Sequence, residues 1–257
     1  MQDYKENSRR AFDRQAPAYD TASFGSHARG LYPILLSQLA QLPRRRVLDV
    51  GCGTGELLRM VGERFPETTR TGLDLSAEML SVAAEKCRDL AGEPPVFLCQ
   101  SMEKLDLYGT VDACVCCLDS VNYVTSPRKL KKAFQRVHLF LVPGGLFLFD
   151  INTPDKLRGL DGGMFIDETD DAYCVWRAEY APRRRICTYG MDIFRLEPDG
   201  RWSRGEEVHE EYAYEPDELE EYLREAGFTR IRRHGCLKMR APVPGDERIF
   251  FTAVKQG

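Results

Sequence analysis

The chain has 257 residues, 43% of them hydrophobic and 30% charged, with a formal net charge of −4. That length admits one large domain or a core with an insertion, and the composition suits a globular protein with a sizeable core. The acidic balance argues against a general nucleic-acid binder, which would carry a basic surface, and no stretch reaches the roughly 18 apolar residues of a membrane span.

The start, MQDYKE, is polar and charged, so no secretory signal is expected. Residues 3–15 read as a short charged helix carrying Phe12, broken at 16–20 by APAYD. Residues 27–42 place Leu31, Ile34, Leu35, Leu39 and Leu42 near helical spacing, and Pro43 ends that helix. Arg44 to Arg46 lead into a buried apolar strand, 47–50, which turns on Gly51, Gly53 and Gly55 into a helix over 56–64. A second strand, 69–74, ends in Asp74. Ser76 is placed to cap a helix running to about Leu90, with Met79, Leu80 and Ala83 inward.

Residues 96–99 read as a third strand. Residues 111–118 form a fourth, apolar almost throughout, as expected of a parallel strand covered on both faces. Residues 127–141 are helical, 142–145 a turn, and 146–151 a fifth strand. Strands alternating with helices predict an α/β, doubly wound sheet.

After Asn152 the pattern changes. Residues 159–171 are rich in Gly and Asp and read as a loop. Residues 172–181, 184–196 and 201–214 alternate and read as antiparallel strands. A helix over 216–226 closed by Gly227 follows, then strands over 228–237 and 248–254. The expectation is a core of residues 1–158 and 213–257 with a β insertion, 159–212, serving as substrate lid or as the contact of a homodimer. The arginines at 183–185 and 230–233 read as solvated edges.

The nine cysteines are an odd number, and several fall in apolar strands, which predicts free thiols in a reducing cytoplasm. Cys114, Cys116 and Cys117 invite a metal reading. Strand geometry turns Cys117 away from the other two, and no Cys/His pair follows at zinc-finger spacing. No metal is expected.

The glycine turn at 51–55 lets a ligand approach the backbone and presents helix amides to a polar group. A tight strand-to-helix turn with no ligand is the simpler account of it alone. Asp74, about twenty residues on, stands where a carboxylate takes ribose hydroxyls in nucleoside-binding folds. Glu56 at the sixth position of the turn disfavours a nicotinamide cofactor, whose fingerprint has glycine there.

VLDVGCGTG (47–55), GLDLSAEML (72–80) and LVPGGLFLFD (141–150), in that order, resemble the class I S-adenosylmethionine-dependent methyltransferases over residues 10–155 and 214–255. CLDSVNYV, LFLFDINTP and EEVHEEYAY are similar to a bacterial group of small methyltransferases. The resemblance implies a seven-stranded Rossmann-like sheet and S-adenosyl-L-methionine as cofactor. It implies that Gly51, Cys52 and Gly53 pass close to the cofactor, and that Asp74 takes the ribose hydroxyls. Leu75 and Met79 would flank the adenine, with Met102 and Leu118 at the same crevice. Ser101 stands where an acid commonly meets the adenine amino group. Asp49 would sit near the methionine ammonium or cap the glycine loop, and Tyr19 near the methionine end or simply in packing.

An activated sulfonium needs chiefly in-line approach and exclusion of water, so few residues need be catalytic. The candidates are His209, Asp119 and Tyr123, with Asn122, Asn152, Trp176 and Tyr212 behind them. His209 could act as base or anchor, held by Glu207 and Glu211 on its own strand face, or could only pair with a neighbouring strand. Asp119-Ser120-Val121-Asn122 is not the Asp/Asn-Pro-Pro-Tyr motif of base amino-group methylation, and no Pro-Cys nucleophile occurs. The expected activity is methyl transfer to a small-molecule N or O acceptor. RNA or protein methylation, or a silent cofactor-binding regulatory module, are the alternatives.

Overall fold

The structure is a computed structural model and describes residues 4–16, 19–20, 30, 32–40, 46–197, 199–235 and 240–257. Two sheets organise it. The larger contains β1 (Arg46–Val50), β2 (Thr69–Asp74), β3 (Val96–Cys99), β4 (Val111–Cys116), β5 (Leu141–Asn152), β10 (Phe228–Gly235) and β11 (Arg248–Lys255), in the order β10-β11-β5-β4-β1-β2-β3. β1, β2, β3, β4 and β5 pair in parallel, while β11 runs antiparallel to both β5 and β10. The order reverses between β1 and β4, which places a crevice beyond their carboxyl ends.

Helices cover both faces, because central parallel strands such as β4 are apolar on both sides. α2 (Tyr32–Leu39) and α3 (Glu56–Arg64) pack Leu35, Leu39, Leu57 and Val61 on one face, against Val47, Val115 and Phe250. α5 (Pro127–Phe140) and α7 (Pro216–Glu225) bury Leu130, Phe134, Leu219 and Leu223 on the other, against Phe147, Phe149 and Phe251. α4 (Ala77–Lys86) starts as expected at Ser76, whose Oγ accepts the Met79 amide at 3.0 Å. No helix among the described residues is long and apolar enough to cross a membrane.

The second sheet is antiparallel, in the order β6 (Met164–Glu168), β7 (Ala172–Ala181), β8 (Ile186–Leu196), β9 (Trp202–Tyr212). Three of its strands match the expected runs. The fourth, β6, lies inside the segment read as a loop. It is a five-residue edge strand with Met164 and Ile166 exposed and Phe165 stacked on Trp176 at 4.0 Å, so apolar residues occupy both faces and no clean alternation marks it.

α6 (Pro154–Gly159) is a short helix before it, capped by Thr153. β5 begins at Leu141 rather than 146. The expected turn at 142–145 is absorbed into the strand as an irregularity, for Val111 pairs with Leu141 and Ala113 already with Leu146. Of the helix expected over 27–42, the described part is Tyr32–Leu39. His27, Leu31, Leu42, Pro43, Arg44 and Arg45 lie outside the described residues, as do Cys236 and Leu237.

Candidate active site

A cavity of about 540 Å³ opens at the carboxyl ends of β1, β2, β4 and β5, and all fourteen expected site residues line it. Its floor is the glycine turn. Gly51, Gly53 and Gly55 all adopt left-handed backbone (φ +75°, +51° and +73°), where a side chain is strained. A Cβ on Gly51 would press within 2.6 Å of Ser120 Oγ, whereas one on Gly53 meets nothing within 4 Å. Gly53 is therefore glycine for its conformation and for access, not for packing. Cys52, between them, is a buried thiol.

Asp74 organises this end. Its Oδ2 accepts the Gly53 amide and its Oδ1 the Ser76 amide, each at 2.9 Å. Burial pushes its carboxyl up from the ordinary value, and these backbone bonds pull against that. So the capping weighed for Asp49 is performed by Asp74. Asp49 is 4% exposed, and burial first, then the Asp74 charge, push its carboxyl up to about 7. Leu75 follows β2, and Met79 lies buried in the first turn of α4. Ser101 and Met102 are buried where β3 gives way to a short 3-10 turn, which the Ser101 side chain does not cap. Tyr19 also faces the cavity, and burial pushes its hydroxyl up to about 12.

Beside the glycine turn, after β4, stand Leu118 and Asp119, two consecutive non-glycine residues at φ +58° and +53°. Such conformations cost about 1–3 kcal/mol each and persist only where neighbours hold them. Here Asp150 holds them, accepting the Leu118 amide at 2.8 Å and the Asp119 amide at 3.1 Å. Arg248 ties the two acids together, bonding Asp119 at 2.6 Å and Asp150 as well.

The second sheet and α1 (Tyr4–Gln15) complete the enclosure. His209 is 2% exposed, and its Nε2 lies 3.4 Å from Glu207 Oε2. Phe12 of α1 packs edge-on to the imidazole at 5.2 Å and tilted against Tyr123 at 5.5 Å, and Tyr123 meets the imidazole at 6.0 Å. Glu211 is buried. Burial, then the Asp119 charge, push its carboxyl up to about 8, although Asn152 donates to it at 2.8 Å.

The secondary candidates divide. Asn152 and Trp176 line the cavity, with the Trp176 indole N–H donated to Asp167 at 2.9 Å. Asn122 instead clamps backbone, donating to the carbonyls of Asn152 (3.1 Å) and Tyr212 (3.0 Å) and accepting the Asn152 amide. Tyr212 points away, its ring on Tyr214 at 4.4 Å and beneath Arg185. His209 and Tyr212 are three apart on one strand and so lie on opposite faces.

Of the other described histidines, His138 packs on Phe228 and His234 contacts Thr252, both away from the cavity. Among the described residues no three His, Cys, Asp or Glu side chains converge as metal ligands would. The sequence reading missed Gln15, Lys156, Tyr189 and Arg248, all of which line the cavity. For Arg248 a signal existed: the first residue of an antiparallel strand beside β5 lies at the carboxyl edge of the sheet.

Residues 47–145 match the model of the methyltransferase domain family. The chain is 31% identical over 223 residues to a protein of Geobacillus sp. (strain WCH70) that carries the name methyltransferase GWCH70_2453, covering 86% of this chain and 88% of the relative. It is 30% identical over 210 residues to a malonyl-[acyl-carrier protein] O-methyltransferase of Laribacter hongkongensis (strain HLHK9), covering 75% of this chain and 67% of the relative. A crystal structure of an S-adenosylmethionine-dependent methyltransferase from Clostridium acetobutylicum ATCC 824 superposes with a TM-score of 0.81 at 28% identity, covering 89% of this chain and 92% of that one.

Proposed function

Because the chain belongs to the S-adenosylmethionine-dependent methyltransferases, we propose that it methylates a small-molecule acceptor, on nitrogen or oxygen, in the part of the cavity walled by β7, β8, β9 and α1. S-adenosylmethionine is the cofactor, and the floor of the cavity suits it. The left-handed glycine turn gives backbone access, and Asp49 is a buried carboxyl whose raised proton affinity a cationic ammonium would offset. In this reading Gly51, Cys52 and Gly53 cradle the cofactor, with Tyr19 at its methionine end. Asp74 takes the ribose hydroxyls. Leu75, Met79, Ser101, Met102 and Leu118 surround the adenine and ribose. When bound, the cofactor supplies a methyl group already activated by a positively charged sulfur.

The chain's own work is then positioning, drying and proton removal. Phe12, Tyr123 and Trp176 present aromatic surface to the acceptor. His209 receives the proton that an amine or hydroxyl gives up, and Asp119, fixed by Arg248, orients the acceptor. Residues 159–212 act as substrate lid in preference to a dimer contact, and residues 1–158 and 213–257 as the core. A cytoplasmic setting suits the buried thiols.

Enclosure is the observation that carries the small-molecule reading. His209, Glu207 and Glu211 are at most 4% exposed, so an acceptor reaching His209 must itself be buried. The malonyl-carrier relative keeps oxygen within the acceptor set. Incubation with methyl-labelled cofactor and a cell extract should place label in the low-molecular-weight fraction. Label confined to protein or RNA would overturn the acceptor class.

A further inference from the structure

Glu207 and Gln15 stand behind His209 in a relation that the roles above leave unused. Both His209 and Glu207 are buried, at 2% and 3% exposure, and the imidazole Nε2 faces Glu207 Oε2 at 3.4 Å. Gln15, on the last turn of α1, donates its side-chain amide to the same Glu207 oxygen. The other imidazole nitrogen, Nδ1, is buried and has no hydrogen-bond partner among the described residues. An orphaned buried nitrogen costs roughly 1–3 kcal/mol, and His209 belongs to the cavity lining, so a ligand there can supply the missing partner. A neutral imidazole carries one proton, and a carboxylate beside one nitrogen settles which.

We propose that Glu207 is a positioning residue: by accepting from Nε2–H it holds His209 in the tautomer whose bare Nδ1 takes the acceptor's proton, and Gln15 holds Glu207 in place. The inference rests on His209 acting as base and adds which nitrogen acts and what selects it. The proton moves from the acceptor's N–H or O–H to Nδ1, leaving an imidazolium with Glu207 as its counter-ion. The acceptor's freed electron pair forms the new bond to the methyl carbon, and the carbon–sulfur pair stays on sulfur.

The other groups facing the imidazole do not compete for Nε2. Tyr189, its register partner on β8, is hydrogen-bonded to Cys187, and the rings of Tyr123 and His209 meet edge to face at 6.0 Å. Phe12 has no polar atom, and Glu211, two residues along β9, is bonded to Asn152. The Nε2–Glu207 contact is long, as catalytic hydrogen bonds often are before substrate binds. α1 has a second anchor: Asp13 accepts from Ser76 Oγ at 2.6 Å, so one helix spans the cofactor end and the base.

The test is imidazole ¹⁵N NMR on ¹⁵N-histidine-labelled protein at a pH where the ring is neutral, with His209→Gln identifying the signal. The expected result is a bare Nδ1 and a protonated Nε2 in the wild type. Glu207→Gln would not test this, because Gln15 would hold the carboxamide oxygen where Oε2 stands and it would still accept from Nε2–H. In Glu207→Leu, which keeps bulk but offers no acceptor, nothing selects Nε2–H and the proton should shift towards Nδ1. Turnover of the extract's acceptor should then fall by about 10²-fold, with S-adenosylhomocysteine binding by calorimetry unchanged. Glu207→Asp, which keeps the charge, should restore the wild-type tautomer.

A wild-type signal with the proton on Nδ1, or a Glu207→Leu tautomer like the wild type's, overturns the positioning role and leaves the base assignment standing. A fully active His209→Gln overturns the base assignment and this inference together. The wild-type spectrum decides the matter even if Glu207→Leu fails to fold.

Discussion

Asp74→Asn is the most informative single change at the cofactor end. The substitution keeps the shape of the side chain and removes its charge. In the wild type both carboxylate oxygens are engaged by backbone amides, of Gly53 in the glycine turn and Ser76 at the start of α4. An asparagine offers one oxygen and one NH₂, so one of those amides meets a donor instead of an acceptor. Losing a hydrogen bond to a charged group costs about 1.5–3 kcal/mol. The loop should lose that much order, and the ribose a partner of the same kind. At 1.4 kcal/mol per factor of ten, S-adenosylhomocysteine should bind about 10- to 100-fold more weakly by calorimetry. The melting temperature should fall by several degrees. Affinity within about threefold of wild type in a folded variant would refute both the ribose assignment and the idea that Asp74 shapes the loop.

Two further expectations follow from buried groups. The Asp49 carboxyl stands at about 7 in the folded chain against an ordinary value of 3.8, so the unfolded chain releases its proton first. Its contribution to stability is therefore full below about 3.8 and is lost, at about 1.4 kcal/mol per pH unit, as the pH rises towards 7. Ligand-free protein should melt lower at neutral pH than in mild acid, the difference should shrink in Asp49→Asn, and S-adenosylmethionine binding near pH 6.5 should release a proton. Calorimetry in buffers of different ionisation enthalpy reads that proton, and buffer-independent heats would contradict the ammonium pairing. The second concerns metal: thorough chelation should leave melting temperature and cofactor affinity unchanged, and zinc retained at one per chain by elemental analysis would sink the packed-thiol reading of Cys114, Cys116 and Cys117.

The local structure of the proposed cofactor end is legible in the sequence because its determinants are local. The glycine turn, the Ser76 cap and Asp74 lie within thirty residues, and each is set by turn or capping chemistry. The acceptor end is assembled from distant segments, and there the sequence signal thins. Arg248 meets Asp119 across 129 positions and Gln15 meets Glu207 across 192, and no periodicity encodes either contact. β6 was lost because an edge strand with apolar residues on both faces has no pattern to read. The burial of His209 required the β8–β9 register, which sets it opposite Tyr189 and turns Glu207, His209 and Glu211 inward. The strand period alone sets Tyr212 on the face opposite His209.

The buried acids in and beneath the cavity differ in how far the protein itself compensates their charge. Asp150 and Asp74 are met by protein donors: one holds two left-handed residues and an arginine, the other accepts one backbone amide at each oxygen and keeps lone pairs for the proposed ribose contact. Asp49 and Glu211 are buried with less compensation, and their carboxyls stand near 7 and 8. Burying a carboxylate without a partner costs more than burying one that is paired. A fold that keeps two such groups in one cavity carries a standing cost that a cation or a strong donor would offset. Asp49 lies beside the glycine turn and Glu211 two residues from His209, and both line the cavity. In the proposed reading the cofactor's ammonium meets the first requirement. The second falls to the acceptor, so the acceptor should carry, besides its methylated atom, a donor or positive charge that reaches Glu211.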